Sequence, residues 1–345
     1  MRNVPALLTL LTSRETLTLM TDQRSPLSRI VVAFGDDDTS VAPLRDAFPD
    51  ITIEHATADS LNDKIVDADA VLMGWGSAAE VLEHGRRLVW IQNVGAGVER
   101  LVTDEFRERD LILTNGSGIM APNIAEHVIG LMLAFARRLP QLLDAQREQR
   151  WRTDVGRESV SELSDQTAVL VGLGDIGLAV AKRLKAFDVT VIGVRRSVGD
   201  ELPDSVDEVV ATDDIDSVLG RADHVISSVP HTPDTVGMFN AARFARFNDG
   251  ARFYNVGRGT SVVQPDLIAA LESGKISAAG LDVTDPEPLP EGDPLWTAPN
   301  VIITGHTSGA TPRFEERLFA LFAENIRRYQ AGDDLLNVVD QERGY

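Results

Sequence analysis

Gly172-Leu173-Gly174-Asp175-Ile176-Gly177 has the spacing of a phosphate cradle. It follows the apolar run 168–171 and opens a stretch, 176–187, with helical spacing. In such a strand–turn–helix the first glycine makes the tight turn, the second lets a pyrophosphate approach the backbone, and the third lets helix and strand pack closely. N–H groups at the helix N-terminus then hold phosphate. Glycines at such a turn also serve packing alone, but here strand, turn and helix stand in the order that dinucleotide binding requires. The next apolar run, 189–194, ends in Arg195-Arg196-Ser197. A site for NAD expects Asp or Glu about 20 residues beyond the first glycines, to accept from the ribose 2′-OH. Arg195 stands there instead. A carboxylate repels a 2′-phosphate, whereas a guanidinium binds it bidentately. NADP(H) is therefore the expected cofactor and NAD(H) the weaker one; two solvated loop arginines are the bland reading.

These loops need elements to hold them. Residues 30–34, 51–54, 70–73, 89–92 and 112–114 are short apolar runs that read as strands, with helical stretches at 41–48 and 60–66. A long apolar stretch, 125–147, has Pro122 near its start, where proline is tolerated. A second series of strands follows at 168–171, 189–194, 224–229, 252–256, 278–283 and 301–304, and a last helix at 312–330 returns the chain toward the first series. Strands alternating with helices predict α/β architecture, with doubly wound parallel sheets.

The chain has 345 residues, a length for two domains, with 43% hydrophobic and 25% charged residues, the composition of a globular protein with a sizeable core. No apolar run reaches the ~18–20 residues of a membrane span. Residues 5–11 are too short for a secretory signal and lack a cleavage site, so residues 1–26 read as an N-terminal extension. The absence of cysteine excludes a disulfide framework, a thiolate zinc site and a cysteine nucleophile, and fits a cytoplasmic location. No metal is expected. A net charge of −20 repels phosphate backbones, which argues against nucleic acid as a partner.

Further motifs occur in a fixed order: Gly95-Ala96-Gly97-Val98, Asn115 through Glu126-His127, the glycine loop, Val229-Pro230-His231-Thr232-Pro233, Asn255-Val256-Gly257-Arg258-Gly259, Asp282-Val283-Thr284-Asp285-Pro286-Glu287-Pro288-Leu289 and Gly305-His306. Together they resemble the D-isomer-specific 2-hydroxyacid dehydrogenase family, which includes glyoxylate/hydroxypyruvate reductases and phosphoglycerate dehydrogenases. The resemblance covers residues 30–339. It implies a Rossmann cofactor domain, 121–306, inserted in a flavodoxin-like substrate domain, 27–120 with 307–345, and a substrate in the cleft between them. It implies hydride transfer between nicotinamide and a small 2-oxo or D-2-hydroxy acid, such as glyoxylate or hydroxypyruvate, run mainly as a reduction by a homodimer.

The resemblance also assigns roles. Arg258 binds the substrate carboxylate and polarises the reacting carbonyl, which suits a planar, permanently charged fork of donors. Glu287 and His306 form the acid/base pair, with the carboxylate orienting the ring and favouring its protonated form. Backbone N–H groups at Ala96 and Gly97 hold the substrate carboxylate in the manner of an anion nest. The cofactor is expected on Gly172, Gly174, Asp175, Ile176, Gly177, Arg195, Arg196, Ser197, Val229, Pro230, Thr235, Val256, Gly257, Arg258, Asp282 and His306, with Asp282 at the nicotinamide carboxamide. Asn115 lies near the cleft, Glu126 and His127 anchor the linker helix, and His231 is a satisfied loop group. Trp75, Gly76 and Met120 shape the side-chain pocket, and Trp151 and Arg152 reach the partner subunit. Gly305 departs from the family's usual proline and is expected to loosen the loop carrying His306. Glu287 argues against a formate dehydrogenase, which has glutamine beside the histidine. Two alternatives remain: a dinucleotide-sensing corepressor-like binding protein, and an NAD-dependent phosphoglycerate dehydrogenase relative.

Overall fold

The computed structural model describes residues 24–341 except 75–77, 99, 152–159 and 200. The expected extension as far as residue 23, together with Trp75, Gly76 and Arg152, lies outside the described residues. The described residues up to Gly116, with those from Glu315 onward, form one compact unit, and Ser117–Phe314 form a second.

In the first unit five parallel strands, β1 (Arg29–Ala33), β2 (Thr52–His55), β3 (Ala70–Met73), β4 (Trp90–Asn93) and β5 (Ile112–Thr114), are ordered β2-β1-β3-β4-β5. That is the flavodoxin-like order of a doubly wound sheet. β1 and β3 are almost wholly buried, as a parallel sheet covered on both faces requires. Val31, Val71, Ile91 and Leu113 join Leu61, Ile65 and Phe106 in one core. On Trp90 lie Phe322 and Tyr329 of the helix Phe314–Ala331, with ring centroids 5.0 and 6.0 Å away.

The second unit holds seven parallel strands: β6 (Thr167–Val171), β7 (Thr190–Arg195), β8 (Glu208–Ala211), β9 (His224–Ser227), β10 (Ala251–Asn255), β11 (Ile276–Leu281) and β12 (Val301–Ile303). Their order is β12-β11-β10-β9-β6-β7-β8. The order reverses between β6 and β9, and α/β sheets bind ligands at the carboxyl ends of the strands beside such a switch point. Val169 and Val171 belong to one apolar layer, Ala168 and Leu170 to another. Alternate residues of a strand face opposite sides, so these layers cover the two faces of the sheet. Phe239, Phe244, Phe247 and Phe253 cluster on one side. The helices α1 (Ala121–Ala136) and α3 (Asp175–Lys185) contribute to the other, with α2 (Leu139–Arg147) between them in sequence.

Two elements depart from the sequence reading. The stretch 125–147 is two helices, because Arg138 takes a left-handed conformation (φ 56°) and Pro140 sits in the first turn of α2. The short edge strand β8 was not foreseen; all four of its residues are half-buried, so no alternation marks them. Residues 307–314 stay with the second unit, where Thr307 and Ser308 donate to the buried Asp282 carboxylate and Asn123 Nδ2 donates to Ser308 O at 2.8 Å. Among the described residues no helix is long and apolar enough to cross a membrane.

Candidate active site

At the switch point the glycine loop is tight by necessity. Gly172 has φ +99°, and a side chain there would meet Ser228 at 3.0 Å. Its N–H donates to Val194 O at 3.0 Å, and Ser228 Oγ donates to its carbonyl at 3.0 Å. A Cβ on Gly177 would stand 2.2 Å from Gly172 O, so the third glycine is forced by helix–strand contact. Gly174, the N-cap residue of α3, differs: a Cβ there would meet nothing within 4 Å. Open space over the first turn of an 11-residue helix, with its unpaired N–H groups, fits a pyrophosphate. Asp175 turns its carboxylate toward Ser117, whose Oγ donates to it at 2.8 Å.

Arg195 is the last residue of β7, half-buried, and Arg196 and Ser197 are exposed. The guanidinium donates to Val198 O and, at 3.4 Å, to Glu201 O, while its Nε is buried without a hydrogen-bond partner. No carboxylate occupies positions 195–197.

Beyond β9 and β10 two loops interlock. A Cβ on Gly257 would meet Val229 O at 2.6 Å, and one on Gly259 would meet Thr284 O at 1.8 Å. Arg258 lies between these glycines. Its carbonyl accepts from Asn255 Nδ2 at 3.0 Å and Ser261 Oγ at 2.8 Å, and its Nη1 donates to Gly257 O at 3.0 Å. The Val229–Pro230 loop is closed by Thr235, whose Oγ1 donates to Pro230 O at 2.7 Å and accepts from Thr232 N at 2.9 Å. The Thr235 hydroxyl is thus used within its own loop. His231 Nδ1 lies 2.8 Å from Thr260 Oγ1, which satisfies that ring locally.

The same Thr284 starts the loop that carries Glu287. Its N–H donates to Glu287 Oε1 at 3.0 Å, and Glu287 Oε2 lies 2.8 Å from His306 Nδ1. The structure therefore brings Glu287 and His306 together across 19 residues of sequence and presses the Arg258 turn against the Glu287 loop. The His306 ring is half exposed.

Asp282 is otherwise engaged. It is 2% exposed, and its carboxylate accepts from Thr304 Oγ1 (2.6 Å), Thr307 N (2.9 Å), Ser308 N (3.1 Å) and Ser308 Oγ (2.5 Å). Burial pushes its pKa up, but the bonds from Ser308, Thr304 and Thr307 outweigh burial and hold it below the ordinary carboxylate value. These contacts tie down the loop that Gly305 was expected to loosen.

In the first unit the turn after β4 has its carbonyls bound from within. Asn93 Nδ2 donates to Gly95 O and Gly97 O at 2.8 and 2.9 Å, and Asn115 Nδ2 donates to Ala96 O at 3.0 Å. Sequence reading missed Asn93; an asparagine two residues before a Gly-x-Gly turn is the available signal. Glu126 is an exposed ion-pair partner of Arg183 at 3.0 Å, and His127 reaches inward to Thr304 Oγ1 at 3.0 Å.

Residues 129–308 match the model of the D-isomer specific 2-hydroxyacid dehydrogenase NAD binding domain. The chain is 34% identical over 286 residues to a D-3-phosphoglycerate dehydrogenase of Methanocaldococcus jannaschii, covering 82% of this chain and 54% of that one. It thus spans about half the length of that relative. It is 35% identical over 245 residues to the mouse glyoxylate reductase/hydroxypyruvate reductase, covering 70% and 74% of the two chains. Among solved structures it is similar to the NADPH-dependent glyoxylate/hydroxypyruvate reductase of Sinorhizobium meliloti in complex with NADP and sulfate, with 30% identity, a TM-score of 0.78 and coverage of 92% and 100%.

Proposed function

We propose that this chain, which belongs to the D-isomer specific 2-hydroxyacid dehydrogenase family, is an NADPH-dependent reductase of a small 2-oxo acid such as glyoxylate or hydroxypyruvate. The observation that carries the reading is the Glu287–His306 pair at 2.8 Å, on a loop that also abuts the Arg258 turn. Glu287 can only accept, so His306 Nδ1 holds a proton toward it. Nε2 is then the nitrogen that delivers a proton to the substrate oxygen, leaving the neutral Nδ1–H ring aligned for the reverse step. Arg258 is proposed to hold the substrate carboxylate and draw charge from the carbonyl, and the Ala96 and Gly97 N–H groups are proposed as carboxylate donors.

The cofactor is proposed to lie on Gly172, Gly174, Asp175, Ile176 and Gly177, on Arg195, Arg196 and Ser197 at the 2′-phosphate, and along Val229, Pro230, Thr235, Val256, Gly257 and Arg258, with Asp282 and His306 beside its nicotinamide. When bound it supplies the hydride. NADPH is favoured over NADH by the arginines at the end of β7, and the Sinorhizobium enzyme is itself described as NADPH-dependent. A cytoplasmic homodimer completes the proposal, supported by the cysteine-free composition and by Leu139, Leu143 and Trp151, exposed at 44, 50 and 94%. The test is a screen of 2-oxo acids with NADPH and with NADH, and of 3-phosphoglycerate with NAD. Turnover of 3-phosphoglycerate alone would favour the phosphoglycerate dehydrogenase reading. Dinucleotide binding without any turnover would favour the corepressor-like one.

A further inference from the structure

Beneath the turn that carries His306 runs a chain of three side chains, His127, Thr304 and Asp282, and its protons can be counted. The Asp282 carboxylate, held in its charged form by four donor contacts, can only accept. Thr304 has one hydroxyl proton, and it goes to Asp282 Oδ1 at 2.6 Å. His127 Nε2 lies 3.0 Å from that same hydroxyl oxygen. With the hydroxyl proton committed, the ring must be the donor, so Nε2 carries a proton. The same nitrogen is 3.9 Å from Asp282 Oδ1.

The far end of this chain reaches His306 itself. Asp282 O accepts from His306 N at 2.6 Å, and the Asp282 carboxylate binds the two residues that follow, Thr307 and Ser308. Gly305 and His306 both take left-handed conformations, with φ +58° and +59°. Proline cannot adopt such a φ, and histidine adopts it only where its surroundings impose it. Asp282 is the residue that binds this turn at three successive N–H groups, those of His306, Thr307 and Ser308.

We infer that His127 is a positioning residue for His306. Its Nε2–H fixes the rotor of Thr304 so that the hydroxyl proton points at Asp282, and Asp282 holds the 304–308 turn in the conformation that presents the His306 ring to Glu287. The inference rests on the reading of His306 as the proton donor for the reaction. It adds a residue on α1, remote in sequence, whose ring meets Thr304 and acts on His306 only through Asp282.

Two arms test it. The first needs no activity: ring nitrogens are observed by ¹⁵N NMR in histidine-labelled protein, with the His127 signals assigned by their loss in His127→Gln. A proton on Nε2 is expected, and a ring protonated at Nδ1 alone overturns the inference. The second arm compares kcat and KM for His127→Leu, His127→Gln, Thr304→Val and the Leu/Val double variant, each checked for folding by thermal unfolding. His127→Leu is expected to lower kcat about tenfold or more while the KM for NADPH stays within about twofold, as for a group acting on the chemical step alone. Glutamine, whose amide donates from a similar distance along the side chain, should restore most of kcat. The double variant should be no worse than the poorer single one, because both changes cut one chain. Wild-type kcat in His127→Leu, no rescue by glutamine, or fully additive losses would each overturn the inference. If the wild-type protein reduces none of the acids screened, the catalytic reading has failed instead, and the NMR arm still decides the proton on His127.

Discussion

Two histidines of the second unit are handled in opposite ways, and each yields a prediction. His224 is fully buried, with Nε2 2.7 Å from Gln166 Oε1 and Nδ1 3.1 Å from Tyr254 OH. Gln166 Oε1 accepts, so Nε2–H donates to it and Nδ1 accepts from the tyrosine, which is the inventory of a neutral ring. Burial, and then the charge of Arg252, pushes its pKa from 6.5 down to about 3. The unfolded chain takes up a proton as pH falls through 6.5, whereas the folded chain does so only near 3. Stability is therefore lost progressively across that window, by at most about 1.4 kcal/mol per pH unit from this residue. Unfolding titrations at pH 7 and pH 5 should show the wild type losing about 2 kcal/mol more than His224→Gln over that interval. His306, the proposed proton donor, is exposed and lies 2.8 Å from Glu287. His306→Ala should lower kcat by roughly 10²–10⁴ with little change in NADPH affinity, the usual size of the effect for a general acid. Wild-type turnover by that variant would remove His306 from the role. Arg258→Lys keeps the charge but loses the fork, so kcat/KM for the 2-oxo acid should fall; an unchanged value would free Arg258 of its assignment.

At the scale of elements, the strands were legible because a parallel strand covered on both faces must be a continuous β-branched or apolar run, and 30–34 and 168–171 are such runs. The glycine loop was legible from its spacing: Gly172 answers a close contact with Ser228, Gly177 one with Gly172 O, and Gly174 stands in open space at the start of α3. What periodicity did not reveal was the break at Arg138, since the apolar pattern continues through a single left-handed residue. Nor did it reveal the His127–Thr304–Asp282 chain, whose members lie on different elements and meet only through the fold. On the proposed reading, cofactor choice turns on the end of β7. Arg195 has no acceptor for a ribose 2′-OH, while each charge-assisted bond to a phosphate contributes ~1.5–3 kcal/mol before competition from solvent. A preference for NADPH of about ten- to a thousandfold in kcat/KM is expected. Replacing Arg195 by Asp and Arg196 by Ser together should narrow or reverse it. Equal kcat/KM for both cofactors in the wild type would return the two arginines to the status of loop residues.

At the scale of the whole molecule, the charge and the exposed apolar residues pull against each other. The chain carries −20, so association of two copies brings like charges together. Leu139 and Leu143 are one helical turn apart on α2, on the same side of it, and both stand in solvent, as does Trp151. Burying such groups against a second copy is favourable by roughly 25 cal/mol per Å² and is almost independent of ionic strength, whereas the opposing repulsion is not. The range of that repulsion shrinks from about 30 Å at 0.01 M salt to about 3 Å at 1 M. The proposed dimer should therefore tighten as salt is added, the reverse of what an interface held by opposite charges would do. Sedimentation analysis across that salt range should show the dimer dissociation constant falling. Replacing Leu143 by Glu should raise it at every salt concentration, because the change both removes apolar area and adds to the repulsion. A dissociation constant that rises with salt, or one indifferent to Leu143→Glu, would place the dimer contact elsewhere on the surface.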